Sequence, residues 1–231
     1  MVEGKQVVRR LLSESLLPIH SVLVLDKQLS HLQDILDRKK EDFPVYLVDS
    51  TVMNNIVGFD FHRGIIALGK RKAYPNINEI ASKASALVLL EGLSSPDNVG
   101  SIFRNAAGLG ADALVLDSSC ADPLYRMATR VSIGTSLIMP WTRVEDWPEV
   151  LKELKEQGFT LIGMTPGASA IDLSALDDKP KKWALILGSE GPGLSDQTRM
   201  ACDLLLKIPM ARNLDSLNVA TAAALGLYEL V

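Results

Sequence analysis

The sequence predicts an α/β fold: a mostly parallel sheet covered by helices, preceded by a small α/β unit. Three observations carry this reading. After residue 85, short continuous apolar runs alternate with helical segments, and such runs belong to strands buried on both faces. The first 70 residues show a shorter alternation of their own. Between the two lies Lys70-Arg-Lys-Ala-Tyr-Pro75, whose charge and proline suit a linker. The expected division is 1–72, a linker over 73–84, and 85–231.

In order, the first unit reads as a helix over 7–13, a strand Ser21-Val-Leu-Val-Leu25, and a second helix. In that helix Leu29, Leu32, Ile35 and Leu36 share one face. Asp26 is placed to cap it, because a carboxylate can accept a free first-turn N–H. Val45-Tyr-Leu-Val48 is the next strand, Ser50 or Thr51 caps a short helix, and Gly64-Ile-Ile-Ala-Leu68 is the third strand. The second part has strands at 86–90, 113–116, 160–164, 183–187 and 204–208. Helices fit near 98–109, 123–136, 144–157, 195–202 and 217–230. In such sheets ligands bind beyond the carboxyl ends of strands. The loops after Leu90, Leu116, Met164, Leu187 and Ile208 are therefore where chemistry is expected.

Composition bounds the function. The chain has 231 residues, 47% hydrophobic and 23% charged, which excludes a disordered chain. No apolar run approaches the roughly 18–20 residues that span a bilayer. Met1-Val-Glu-Gly-Lys-Gln lacks the apolar stretch of a signal peptide, so no membrane partner and a cytoplasmic location are expected. Cys120 and Cys202 lie far apart, and His20, His31 and His62 have no metal-ligand spacing. Neither a disulfide framework nor a metal site is expected. The net charge of −4 argues against holding nucleic acid by bulk positive charge. That charge is uneven: residues 1–75 carry 11 Lys+Arg and 9 Asp+Glu, a net of +2, which leaves −6 for the remainder.

Three loops stand out. The first, Glu91-Gly-Leu-Ser-Ser-Pro-Asp-Asn-Val-Gly-Ser-Ile-Phe-Arg104, follows a strand and opens a helix. Asp97 or Asn98 can cap that helix. Asn98, Ile102 and Asn105 share a face, and Arg104 sits among apolar and small residues. By residue type alone, Asn98 could be only a cap and Arg104 only a solvated charge. The second, Leu187-Gly-Ser-Glu190-Gly-Pro-Gly-Leu194, has three glycines in six residues, which permits close backbone approach to a ligand. It is neither a Gly-x-Gly-x-x-Gly loop nor a P-loop; a plain turn with a solvated Glu190 is the alternative. The third, Ile208-Pro-Met-Ala-Arg-Asn-Leu-Asp-Ser216-Leu-Asn218, leads from a strand into the last helix, which Ser216 or Asn218 begins. The order of the loops, each preceded by a strand, says more than any one of them.

In that order, Asn98-Val-Gly-x-x-x-Arg104, Leu187-Gly-Ser-Glu-Gly-Pro-Gly193 and Ile208-Pro-Met…Ser216-Leu-Asn-Val219 resemble the three motifs of the SpoU (TrmH-type) RNA 2′-O-ribose methyltransferases, of the SPOUT superfamily. The resemblance covers about residues 85–231. The leading residues resemble, less specifically, the L30e-like substrate-binding domain that often precedes it, ending at His62-Arg-Gly64.

The resemblance implies a parallel sheet whose C-terminal segment threads a trefoil knot, a homodimer, and S-adenosylmethionine as cofactor. It implies methyl transfer to a ribose 2′-hydroxyl without a metal. Arg104 would be the central catalytic residue; its fork suits an RNA phosphate or a developing alkoxide. Asn98, Glu190, Ser216 and Asn218 match positions that build the site, with Glu190 fixing the loops or holding Arg104. Gly188, Ile208 and Leu217 match positions whose backbones hold the cofactor, and Met164 and Thr165, at the end of their strand, are expected beside it. The stretch Tyr125-Arg-Met-Ala-Thr-Arg-Val-Ser-Ile-Gly134 also resembles the family. Arg126 and Arg130, on one helix face, are candidate RNA contacts with His62 and Arg63; a solvated face and a structural histidine are the alternatives. The sequence departs from the family at Arg212, where glycine is common, and at Ala220, where serine is common. The expected partner is RNA, with ribosomal RNA favoured over tRNA. Methylation of a ribosomal position that gives antibiotic resistance, and a catalytically idle RNA-binding or ribosome-assembly factor, are the other readings.

Overall fold

Residues 1–73 and 123–138 form one unit of the computed structural model, and residues 74–122 and 139–231 form the other. The structure describes residues 1–39, 42–167, 169–212 and 214–231.

The first unit begins with β1 (Val2–Glu3), α1 (Lys5–Ser13), β2 (Ile19–Leu25), α2 (Gln33–Leu36), β3 (Val45–Val48), α3 (Ser50–Val57) and β4 (Ile65–Gly69). Its sheet has the order β1-β4-β2-β3, with β4 antiparallel to both neighbours and β2 parallel to β3. Helix α1 forms because Val7, Val8, Leu11 and Leu12 recur at helical spacing, and all four are buried. The helix expected after Asp26 is shorter. Residues 26–31 form a 3₁₀ turn that Asp26 does not cap, and only α2 is α-helical. Asp49, rather than Ser50 or Thr51, caps α3, accepting from the Val52 N–H at 2.8 Å.

The second unit continues with α4 (Ile77–Ala81), β5 (Ala86–Glu91), α5 (Pro96–Gly108) and β6 (Ala113–Asp117). The chain then contributes α6 (Arg126–Val131) to the first unit. It returns as β7 (Trp141–Val144), α7 (Trp147–Glu156), β8 (Thr160–Met164), β9 (Ile171–Asp172), β10 (Trp183–Gly188), α8 (Asp196–Ala201), β11 (Leu204–Lys207) and α9 (Val219–Leu230). The structure thus differs from the expected division in two places. The stretch 73–84 contains α4, whose Ile77, Ile80 and Ala81 are buried in the second unit. The segment 123–138 joins the first, where Leu137 enters the core formed by Val7, Leu11 and Val22. The helix expected over 123–136 is α6 followed by a 3₁₀ turn at 135–137.

All pairings in the seven-stranded sheet of the second unit are parallel, in the order β7-β6-β5-β10-β8-β11-β9. Successive residues of a strand point to opposite faces. Val88, Leu90, Leu185 and Leu187 accordingly meet Val99, Ile102 and Phe103 of α5 and Ala223 and Leu227 of α9. Leu87, Leu89, Ala184 and Ile186 meet Val150, Leu151 and Leu154 of α7 and Ile80 of α4. The continuous apolar runs follow from this two-sided burial. Truncating Leu89 or Leu90 to Ala would cost about 2–5 kcal/mol. The parallel arrangement puts the carboxyl ends of β5, β8, β10 and β11 on one edge, and the motif loops leave from there. Among the described residues, no helix is long and apolar enough to cross a membrane.

Candidate functional site

The first loop leaves β5 through Gly92, whose positive φ of 71° suits glycine. Its N–H donates to Asp117 Oδ2 at 2.9 Å, and the same carboxylate accepts from the Ser119 and Cys120 N–H groups. One side chain at the end of β6 thus fixes two loops. Ser95 caps α5, accepting from the Asn98 N–H, with Pro96 in the first turn. The cap is therefore neither Asp97 nor Asn98, and the Asn98 side chain is released for another task. Asn98 is buried, and its Nδ2 donates to Glu190 Oε1 at 2.6 Å. Two turns on, Asn105 donates through Nδ2 to the Ala220 carbonyl at 2.8 Å, tying α5 to the first turn of α9.

The second loop turns back at once. A Cβ on Gly188 would lie 2.3 Å from the Gly193 carbonyl carbon, so only glycine fits. The Gly193 N–H donates to the Ser189 carbonyl at 3.0 Å and closes the turn. Glu190 is thereby held over Asn98. The third loop ends at Asn218, whose Oδ1 caps α9 through the Ala220 N–H at 2.9 Å. Asn218 Nδ2 donates to Asn98 Oδ1 at 2.9 Å and reaches Glu190 Oε1 at 3.3 Å. One residue from each loop therefore meets the other two, across 92 and 120 positions of sequence.

These loops wall a cavity of about 590 Å³. Gly188, Ile208, Leu217, Met164 and Thr165 all line it, as do Glu190, Ser216 and Asn218. Its wall is apolar at Met164, Leu187, Ile208, Met210, Leu217 and Val219. Polar capacity comes from side chains such as Arg199, Lys207 and Asp215 and from main chain: the N–H groups of Glu190, Ser216 and Leu217 have no partner among the described residues. Arg104, on α5, is exposed, and its guanidinium has no partner among the described residues. Glu190 holds the loops together and does not hold Arg104. Arg212 adopts a left-handed φ of 57° in the third loop.

The cysteines are unsuited to nucleophilic work. Burial, reinforced by Asp117, pushes the Cys120 thiol up to about 12. Burial and Asp203 push Cys202 up to about 11. Both stay protonated near neutral pH. Among the described residues, no group of three His, Cys, Asp or Glu could hold a metal ion.

The four candidate RNA contacts lie in the first unit. Arg126 Nε donates to Glu3 Oε2 at 2.7 Å, and Arg63 Nη1 lies 3.4 Å from Glu3 Oε1. Glu3 itself is only 3% exposed. The Arg126 guanidinium also covers the Phe59 ring at 5.5 Å. Arg130 rests against Met127 of its own helix, and His62 is exposed, 3.7 Å from Asp60. Arg126 and Arg63 therefore serve this unit's own structure, whatever else they touch. Sequence reasoning missed Glu3, Glu91 and Asp117. A carboxylate directly ending a buried strand was the available signal for the last two.

The chain matches the SpoU rRNA methylase family over residues 85–228 and the RNA 2′-O ribose methyltransferase substrate-binding family over residues 1–75. It is 42% identical over 231 residues to an uncharacterised tRNA/rRNA methyltransferase of Mycobacterium tuberculosis, covering 99% of this chain and 79% of that one. It is 30% identical over 240 residues to the 23S rRNA (guanosine-2′-O-)-methyltransferase RlmB of Photobacterium profundum, covering 100% and 96%. The SpoU methyltransferase AviRb of Streptomyces viridochromogenes, solved with AdoMet, superposes with a TM-score of 0.84 at 25% identity, covering 99% of this chain and 88% of that one. With the motif residues gathered on one edge of a parallel sheet, the chain belongs to the SpoU family of S-adenosylmethionine-dependent RNA methyltransferases.

Proposed function

We propose that this chain methylates a ribose 2′-hydroxyl of ribosomal RNA. The observation that carries the reading is the Asn98–Glu190–Asn218 junction, which holds three loops around one cavity. The cavity fits S-adenosylmethionine. An apolar wall suits the adenine ring, and the unpaired main-chain donors of residues 190, 216 and 217 suit its nitrogens, ribose and carboxylate. When bound, the cofactor supplies a methyl group on a positively charged sulfur. The protein's part is then placement, which contributes roughly 7–11 kcal/mol in favourable cases.

Residue roles follow from chemistry and position. Gly188, Ile208, Leu217, Met164 and Thr165 hold the cofactor. Asn98, Glu190 and Asn218 keep the loops in register, and Ser216 faces the ligand from the cavity wall. Arg104 presents an uncommitted guanidinium to an RNA phosphate and to charge developing on the 2′-oxygen. Arg126, Arg130, His62 and Arg63 meet RNA through the donors that Glu3 and Asp60 leave free. Exposed Leu225, Tyr228 and Val231 on and just beyond α9 are the face on which a second copy pairs. We also read the C-terminal path, with β10 between β5 and β8 and β11 beyond them, as the family's trefoil knot. The reading places the protein with ribosomes in the cytoplasm.

The test is to map ribose methylation in RNA from cells with and without this chain. Loss at a ribosomal nucleotide on deletion supports the proposal. Loss confined to tRNA shifts the substrate. No loss in any RNA, with no calorimetric binding of S-adenosylmethionine, leaves a binding or assembly factor.

A further inference from the structure

We infer that Glu91 is a positioning residue for the cofactor: it fixes the far end of the 188–195 loop, although it does not itself line the cavity. The inference rests on the cofactor assignment and concerns a residue no motif reading singled out. The loop starts at Gly188, which is in parallel register with Glu91 across β10 and β5. It ends at Ser195, whose Oγ donates to Glu91 Oε1 at 2.7 Å and whose N–H donates to Oε2 at 3.2 Å. Both ends of the loop are therefore referred to one residue, at one end through the sheet and at the other through the carboxylate.

The carboxylate has a third donor. Thr198 Oγ1 donates to Oε1 at 2.8 Å and is itself held by the Trp147 indole N–H at 3.1 Å. Trp147 and Thr198 are both buried. The anchor thus runs from the end of β5 through the first turn of α8 into the core behind the sheet. Among the described residues, Glu91 has no cationic partner. Three neutral donors converging on one carboxylate fix direction as well as distance, because each demands its own lone pair. Without Glu91, Ser195 Oγ still caps α8 through the Thr198 N–H, but among the described residues no side-chain bond then ties that cap to β5. The far end of the loop would then be loose, leaving the Asn98 and Asn218 bonds to Glu190 to set its backbone against the cavity.

The experiment measures S-adenosylmethionine binding by calorimetry and steady-state kinetics in wild type, Glu91→Ala, Glu91→Gln and Ser195→Ala. Glu91→Ala should raise the cofactor Kd and KM by about tenfold or more while kcat at saturating cofactor stays within about threefold. Glu91→Gln should fall between, since its Oε1 can still accept the two hydroxyls while its amide confronts the Ser195 N–H. The Glu91→Ala and Ser195→Ala effects on Kd should be strongly non-additive, because they remove the same link. Variants that lower Tm but bind cofactor as wild type does would overturn the inference, as would additive effects. If Glu91→Ala does not fold, the Gln and Ser195 variants decide. A wild type that fails to bind the cofactor would remove the cofactor assignment and this inference together; equal binding by all four removes the inference alone.

Discussion

Asn98 Nδ2 donates to Glu190 Oε1 at 2.6 Å, joining the buried first turn of α5 to the tip of a loop 92 residues later. A bond to a carboxylate from a buried amide is the stronger kind. In a double-mutant cycle on unfolding, Asn98→Ala and Glu190→Ala should show a coupling of about 0.5–1.5 kcal/mol, moderated because Glu190 is exposed. Additivity within about 0.3 kcal/mol would mean the bond contributes nothing measurable. Both single variants should also weaken cofactor binding.

Arg104 separates activity from stability. Its guanidinium has no partner among the described residues, so Arg104→Ala should change unfolding free energy by no more than about 0.5 kcal/mol. Methyl transfer should fall by about 10²-fold or more, as when one charge-stabilising donor is removed. Single-turnover assays on the folded variant decide it, and near-wild-type rates would remove Arg104 from the reaction.

Arg126 should behave in the opposite way. Arg126→Ala leaves buried Glu3 with Arg63 at 3.4 Å as its remaining cation among the described residues and uncovers a face of the already exposed Phe59 ring. Unfolding should become easier by about 1–3 kcal/mol, the cost of an under-satisfied buried polar group. A variant as stable as wild type would show that its exposed donors, and not the bond to Glu3, are what matter.

Arg212 holds a left-handed φ of 57° in the loop between β11 and α9, a conformation that disfavours a side chain. Arg212→Gly should be neutral or stabilising by up to about 1 kcal/mol in chemical denaturation. Arg212→Val should be destabilising, because a β-branched residue tolerates that φ worst. The glycine common at this position in the family thus has a backbone reason, and the arginine here has none that the fold supplies.

Acid should expose one surface contact. The hydrogen bond from Arg9 holds the Asp34 carboxyl down at about 2, with burial opposing and the Arg9 charge assisting. A lowered folded value means a contribution present above the unfolded value, about 3.9, and lost as pH falls toward 2. Carbon-detected NMR titration should return Asp34 to the ordinary carboxylate range in Arg9→Ala. Any stability difference between that variant and wild type at pH 6 should shrink as pH falls below about 4 and vanish only below about pH 2.

The sequence was most readable where burial was complete. Strands β5, β6, β8 and β10 were legible because both their faces are covered, which leaves uninterrupted runs such as Ala86-Leu-Val-Leu-Leu90; β11 is only half-buried but keeps the apolar run Leu204-Leu-Leu206. Strand β7, Trp-Thr-Arg-Val, lies at the sheet edge and mixes polar with apolar residues; β9 spans two residues. Neither carries a periodic signal, and α4 hid in a stretch whose charge and proline suited a linker. The caps went astray at α5 and α3 because several adjacent residues can accept the same N–H, and only backbone geometry selects Ser95 and Asp49. Within the site, the loop residues were legible by motif. Glu91 and Asp117 were not, since a charged residue ending a strand looks solvated until its partners 104 and 25 residues away are known.

Segment 123–138 leaves the methyltransferase unit, supplies α6 and Leu137 to the first unit, and returns. The chain therefore crosses between the units three times, and the two families matched along it do not correspond to two separable lengths of gene. A fragment ending near residue 73 would encode a unit lacking part of its core and leave Glu3 without Arg126. An exchange of the first unit between relatives would therefore keep its core whole only if the internal segment that supplies Leu137 fits the incoming unit.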